Sequence, residues 1–360
     1  MRLGQDIILG NINITGGDED GGRIPEILEK YGIDPKAVSG IILGKAEKPY
    51  LGQMLHGGVD VDQLDYLVRD AHYTGVAHGI IDLERLLKVM KIHDGQLVVD
   101  EKGVEAVEGG MMVARALMYS RVYFHHTVKI AEGMLTRALE FALDEGGHLW
   151  DFWRMTDCRV LVELEDLEGL PAELTKRVLH RKLYKAAVLI TAEELSTEEK
   201  RELLNAYRNV KKRQEIERNL ADAVGASEGE VILEFSIADL MLSEPRLKET
   251  GGINVLLDNG EIQPLTKVTP LANALKRRQT PRWAVMIASP RKVRGQTEGS
   301  LEKGYLQLKS FSFISFFSLS MSSISSSASL TSSRLSFGMR GTSETTSAFV
   351  FSSMKRPPRC

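Results

Sequence analysis

Over the first half of the chain, apolar residues recur at helical intervals. Ile24 to Tyr31 and Asp34 to Leu43 predict two short helices around a Gly-Ile-Asp-Pro turn. Pro35 suits a first helical turn, and Asp34 can cap it. Lys48 to His56 predicts a further helix, and Asp82 to Met90 another. Between them, DVDQLDYLVRDAHYTG (Asp60 to Gly75) places Leu64, Leu67, Val68 and Ala71 on one helical face, turned to a core. In KIHDGQLVVDEKG the Asp94-Gly95 pair predicts a hairpin turn between two short strands. A long helical pattern then runs from Val104 to about Asp144, with Gly109-Gly110 as its candidate break.

From Asp157 the pattern changes. A short helix and Pro171 lead into a helix ending in HRKLYKAAVLI, with strand character from Ala186 to Ile190. A charged helix follows from Thr197 to Val224, and its KKRQEIERN run reads as a solvated face. A strand at Glu230 to Phe235, a hairpin around Asp258-Asn259-Gly260, a helix at Leu271 to Lys276 and a strand at Trp283 to Ile287 complete a small α+β domain. The expected organisation is therefore mainly α. An irregular segment, 1–23, precedes a helical domain over 24–155, an α+β domain over 156–305 and a low-complexity tail over 306–360.

The tail changes the picture. From Leu308 onward it is dominated by Ser and holds seven of the chain's eleven phenylalanines, a single Glu and no Asp. It is too Phe-rich for a Ser linker and too broken for a membrane span, which needs about 18 apolar residues. Codons for Ser, Phe and Leu are complementary to those for Glu and Lys. The composition predicts a disordered tail read out of frame, or from the opposite strand, of a Lys/Glu-rich coding region. A net charge of -3 and a pI near 6.3 give no general attraction to nucleic acid or anionic membrane. Cys158 and Cys360 make no disulfide framework, and no secretory signal opens the chain, so the cytoplasm is expected.

The chemistry concentrates in the Asp60–Gly75 helix. Asp62, Tyr66 and Asp70 stand four residues apart along one face. Two carboxylates and a phenol in a stripe suit either a solvated surface or a site that meets an ion or ligand. Both readings are open on spacing alone. Met111, Met112, Leu117, Met118 and Val122 read as core. His125 and His126 are adjacent, so on a helix they point about 100° apart and do not chelate one ion.

These residues also carry a resemblance. Asp60-Val61-Asp62, Asp65-Tyr66, Arg69-Asp70 and His72-Tyr73-Thr74-Gly75 resemble the last metal-ligand segment of the HD-domain phosphohydrolases, in the deoxynucleoside triphosphate triphosphohydrolase branch. The flanks KPYLGQMLHGG and GIIDLERLLKVMKI agree, as does a second block, Met111 to Leu135, so the resemblance covers roughly Ile24 to Pro290. It implies the remnant of an HD-type helical bundle, with Asp62 as metal ligand and catalytic aspartate. Tyr66 and Asp70 would hold the nucleoside sugar, Arg115, Arg121 and Tyr123 would wall the substrate, and His125 would be a substrate-side histidine. A phosphate-contacting lysine of some relatives is replaced here by Gln63.

The resemblance further implies a divalent ion, Mn, Mg, Fe, Ni or Zn, that activates water and polarises a phosphoryl oxygen. A nucleotide substrate, most plausibly a dNTP, and a homo-oligomer follow from it, as does a regulatory nucleotide site near Arg181, Lys182 and Lys185; the basic residues also suit a helix end. The family's upstream histidine and His-Asp pair have no counterpart before Asp60, where the only histidine is His56. An impaired, N-terminally incomplete phosphohydrolase is therefore expected. The alternatives are a non-catalytic nucleotide-binding or oligomerisation subunit and a hydrolase of another phosphoester.

Overall fold

A computed structural model describes residues 2–12, 23–144, 146, 147, 152, 155–235, 252–277 and 283–293. The fold is mainly α. The chain forms two compact units, and neither is one continuous stretch of sequence. One holds the described residues within 1–125, 148–155 and 238–281; the other holds those within 126–147, 156–237 and 282–360. This interleaving replaces the single division expected at residue 155. The Ser-rich tail, 306–360, lies outside the described residues.

The first unit begins with a correction: within the segment expected to be irregular, Arg2–Ile8 is a helix, α1. Seven residues cannot sustain a helix alone. Ile8 is buried, and α1 packs on α3 (Pro35–Ile42) and α2 (Ile24–Lys30), so tertiary contact supports it. Asp34 caps α3 as expected, accepting from the Lys36 amide at 2.9 Å. Then come α4 (Pro49–His56), α5 (Val61–Thr74) and α6 (Leu83–Val89). The hairpin of β1 (Met90–His93) and β2 (Gln96–Asp100) turns on Asp94 and Gly95, with φ of 48° and 73°. Both are left-handed, as a two-residue hairpin turn of this kind needs.

The Val104–Asp144 pattern is not one helix. Gly109 and Gly110 do not break it; they lie in π-helical turns, Ala106–Met112, which lead into α7 (Val113–Met118) and further π-helical turns, Tyr119–Tyr123. The path leaves the helix at Phe124 and His125, and α8 (His126–Asp144) starts anew. Hydrophobic spacing continues across this junction, so periodicity alone hides it.

The strands around Asp258-Asn259-Gly260 also depart from expectation. β5 (Asn254–Leu256) and β6 (Ile262–Pro264) do form the hairpin, yet β5 runs parallel to β2 in a sheet ordered β1-β2-β5-β6. They belong to the first unit and not with the neighbouring α+β sequence. Leu64, Leu67, Val107, Met111, Met118 and Val255 share its buried core, so the methionines pack there as expected.

The second unit sets a three-stranded antiparallel sheet against helices. β3 (Lys185–Ile190) and β4 (Ile232–Phe235) flank β7 (Val285–Ser289). Around it stand α8, α9 (Asp157–Asp166), α10 (Gly169–Leu179), α11 (Thr197–Arg208) and α12 (Val210–Ala223). The expected single charged helix is thus two, divided at Asn209, whose side chain caps α12 through the Lys212 amide. Arg137 of α8 lies buried and pairs with Glu217 of α12 at 2.6 Å, while donating to the Leu233 carbonyl at 2.7 Å. Among the described residues no helix is long and apolar enough to cross a membrane.

Candidate functional site

The site is built on α5. Asp60 is buried and accepts from the Gln63 amide at 2.8 Å, capping the helix. At the other end Gly75 takes φ 70°, and the Val76 amide reaches back to the Ala71 carbonyl at 3.1 Å. This is a left-handed glycine stop, for which a side chain would be strained. The two acids of the D-x-D therefore divide their work: Asp60 fixes the helix start, and Asp62 stands exposed in its first turn. Gln63 is buried, with neither its amide oxygen nor its nitrogen hydrogen-bonded, so it does not reach outward like the lysine it replaces.

Two turns beyond Asp62, α5 meets α7 and the π-helical turns after it. The Tyr123 hydroxyl donates to Asp70 Oδ2 at 2.9 Å. Tyr66 and Tyr119 bring their hydroxyls to 3.4 Å, and the Arg115 guanidinium sits 4.6 Å from the Tyr119 ring centroid. Tyr119 also meets Tyr123 edge to face at 4.9 Å between centroids, and Tyr66 meets Tyr123 at 5.9 Å. Arg115 is buried and also bonds the Tyr66 phenol. Tyr119 and Tyr123 open and close the π-helical turns, four residues apart and so on one face.

Electrostatics keep the phenols neutral. Burial, then Tyr119, pushes the Tyr66 phenol far above its ordinary value, with Arg115 opposing. Burial, then the hydrogen bond to Asp70, does the same for Tyr123. Both act as hydrogen-bonding groups at any physiological pH, and neither is suited to serve as a base. The cluster offers a buried cation, a carboxylate and three aromatic rings in one place, chemistry able to hold an anionic, partly aromatic ligand.

Four of the expected substrate residues, Tyr66, Asp70, Arg115 and Tyr123, come together here. Arg121 and His125 are exposed, Arg121 on the π-helical turns and His125 beyond their end. Tyr119 is the member that sequence reasoning missed. It sits four residues from both Arg115 and Tyr123, and that spacing was the available signal. In the second unit, Arg181 adopts φ 55° where α10 stops, and the Lys182 amide returns to the Arg177 carbonyl at 2.7 Å, so this basic group closes a helix end.

The ion implied by the resemblance is not accommodated by these residues alone. Asp62 offers one exposed carboxylate, but among the described residues no three His, Cys, Asp or Glu side chains come together to hold a metal.

Comparison with known proteins agrees with this architecture. Residues 81–312 match the family described as the HD associated region, and the chain belongs to that family. The match starts after α5, so it takes in Arg115, Tyr119 and Tyr123 but not Asp62, Tyr66 or Asp70. Among curated proteins the chain is 29% identical over 269 residues to the uncharacterised protein MJ1154 of Methanocaldococcus jannaschii, covering 73% of this chain and 56% of that one. It is 38% identical over 128 residues to the uncharacterised YwfO of Bacillus subtilis, covering 34% and 29%. Over 124 residues it is 28% identical to a deoxynucleoside triphosphate triphosphohydrolase SAMHD1 homologue of Dictyostelium discoideum, covering 31% and 24%. The chain thus spans about half, or less, of the length of these relatives. Its fold is shared with a hypothetical protein from Aquifex aeolicus (TM-score 0.56, 23% identity, 82% of this chain and 74% of that one). It is shared too with a phosphohydrolase from Bacteroides thetaiotaomicron (TM-score 0.50, 18% identity, 79% and 74%).

Proposed function

We propose that this chain carries the nucleotide-holding part of an HD-type phosphohydrolase, with a deoxynucleoside triphosphate as the favoured ligand. The observation that carries this reading is the joining of Asp70, Tyr123, Tyr66, Tyr119 and Arg115 in one cluster on α5 and the π-helical turns. Asp70 and the phenols suit a sugar's hydroxyls, and Arg115 suits a phosphate oxygen. The similarity to the Dictyostelium triphosphohydrolase supports the same class of substrate. Asp62, exposed about 12 Å along the helix from Asp70, would face the reacting phosphate with any ion recruited there. In that reading Arg115 neutralises charge on the phosphate chain, and Tyr66 and Tyr123 hold the sugar.

A second reading, a non-catalytic nucleotide-binding or oligomer-forming subunit, is favoured because among the described residues no three His, Cys, Asp or Glu side chains gather to hold an ion. Incubation of the purified chain with each dNTP and Mn²⁺ or Mg²⁺ separates the two. Release of triphosphate supports hydrolysis. Thermal stabilisation by dNTP without turnover supports the binding role, and absence of both overturns the assignment of a nucleotide ligand.

A further inference from the structure

The sheet of the first unit contains a gap that no part of the proposed function uses. In the β1–β2 hairpin, His93 and Gln96 flank a two-residue turn, so they form a hydrogen-bonded pair, and Lys91 with Val98 forms the next. Leu97 and Val99 therefore turn their amides and carbonyls away from β1, toward β5. Val99 finds its place in the parallel ladder opposite Val255, but the ladder is formed only at Val99–Val255 and Asp100–Leu256. At Leu97 it is open. The Leu97 amide donates instead to the Gln53 side-chain oxygen of α4, at 2.7 Å.

A cleft of about 380 Å³, lined by both Gln53 and Leu97, lies beside this contact. This is the size range of small-ligand pockets. Its walls include Val59, Val98 and Ile253, with glycine backbone at Gly52 and Gly57; none of its described lining residues is Asp, Glu, Lys or Arg, and the imidazole that lines it, His56, is engaged through Nε2 with the Ile42 carbonyl at 2.8 Å. With its oxygen spent on Leu97, Gln53 presents its NH₂ as a donor. By strand alternation the Leu97 carbonyl turns to the same side as its amide and offers an acceptor there. Asn254 spends its NH₂ on the Gln96 side chain at 3.4 Å, which leaves its oxygen as a second acceptor at the edge.

We infer that this cleft is a binding site, separate from the α5 cluster, for a neutral, planar heteroaromatic ring with adjacent hydrogen-bond donor and acceptor, the chemistry of a nucleobase edge. Apolar walls favour the ring faces, and a donor beside an acceptor matches an amide-like edge. With no ammonium or guanidinium in the described lining, a phosphate finds no fixed cation there. The floor includes Gly57 and Val59, which lead directly into the Asp60 cap of α5, so occupancy also bears on the start of the site helix.

The test is a titration of the full-length, isotope-labelled chain with adenine and with thymine, followed by amide NMR, with inorganic phosphate as the charged control. The expected result is saturable shifts at the Leu97, Gly57 and Gly252 amides with a base and none there with phosphate. Gln53→Glu keeps an oxygen for the Leu97 amide but replaces the free donor with a second acceptor, and should weaken base binding roughly ten-fold. Asn254→Leu, nearly isosteric, removes the edge acceptor without touching the Gln53–Leu97 contact and should weaken base binding as well. Shifts confined to Tyr66, Asp70 and Arg115 would leave the nucleotide reading standing and overturn this one. No saturable shift at millimolar base, or unchanged affinity in both variants, would also overturn it.

Discussion

Tyr123 donates its phenolic proton to the Asp70 carboxylate at 2.9 Å, across 53 residues of sequence. That bond ties α5 to the π-helical turns and sets two expected ligand-holding residues against each other. Tyr123→Phe keeps the ring contacts with Tyr66 and Tyr119 and removes only the donor. The expected cost is about 1 kcal/mol of stability, read from the denaturant midpoint. If Asp70 and Tyr123 hold a sugar together, dNTP affinity falls further in Tyr123→Phe than stability alone explains.

The raised phenols give a pH signature. A group whose folded pKa lies above its unfolded value stabilises the fold fully below the unfolded value, here 10.0, and loses that contribution as pH climbs toward the folded one. Stability should therefore decline above about pH 10, and the phenolate absorbance of Tyr66 and Tyr123 should stay absent until the protein unfolds. In Tyr66→Phe with Tyr123→Phe, the delayed phenolate signal should shrink to what remains from Tyr184, whose phenol burial also raises. Phenolate bands from both residues in folded protein near pH 10 would contradict the geometry.

Removal of the Asp60 cap is the third test. Asp60→Ala leaves the first amides of α5 without their side-chain acceptor and should cost about 1 kcal/mol, within a range of roughly 0.5–2. Asp62→Ala at the exposed neighbouring position should leave stability nearly unchanged. It should abolish any metal-dependent turnover. Turnover that survives Asp62→Ala refutes the assignment of that carboxylate.

In the second unit, Arg137 is the cation for Glu217, with Glu234 at 3.5 Å. Burial pushes the Glu234 carboxyl up, and Arg137 opposes this. Arg137→Met removes the main partner of these buried carboxylates, leaving Glu217 with Arg213 at 3.8 Å, and should destabilise the protein by about 3–5 kcal/mol. Calorimetry of this variant beside wild type is sufficient to see it.

Elements with local punctuation were legible in the sequence. Asp34 caps its helix through the Lys36 amide as expected, and Asp94-Gly95 makes its hairpin, while the caps at Asp60 and Asp82 were not read from the sequence. What escaped depends on contacts far apart in the chain. α1 exists by packing on α3, the pairing of β2 with β5 joins residues 99 and 255, and the end of the helical path at Phe124 interrupts no hydrophobic period. The candidate site shows the same limit. Tyr66, Asp70, Arg115 and Tyr123 could be nominated by resemblance, while Tyr119 had only its four-residue spacing from Arg115 and Tyr123 as a signal, and its place against the Arg115 guanidinium is a tertiary contact.

The most direct measurement is isothermal titration of the purified full-length chain with a dNTP, wild type beside Arg115→Ala and the conservative Arg115→Lys. The account predicts saturable binding by wild type and at least a roughly ten-fold loss in Arg115→Ala, since a buried charge-assisted contact to phosphate is removed. It also predicts incomplete recovery by lysine, which lacks the planar fork. Binding of equal strength in all three proteins would contradict it.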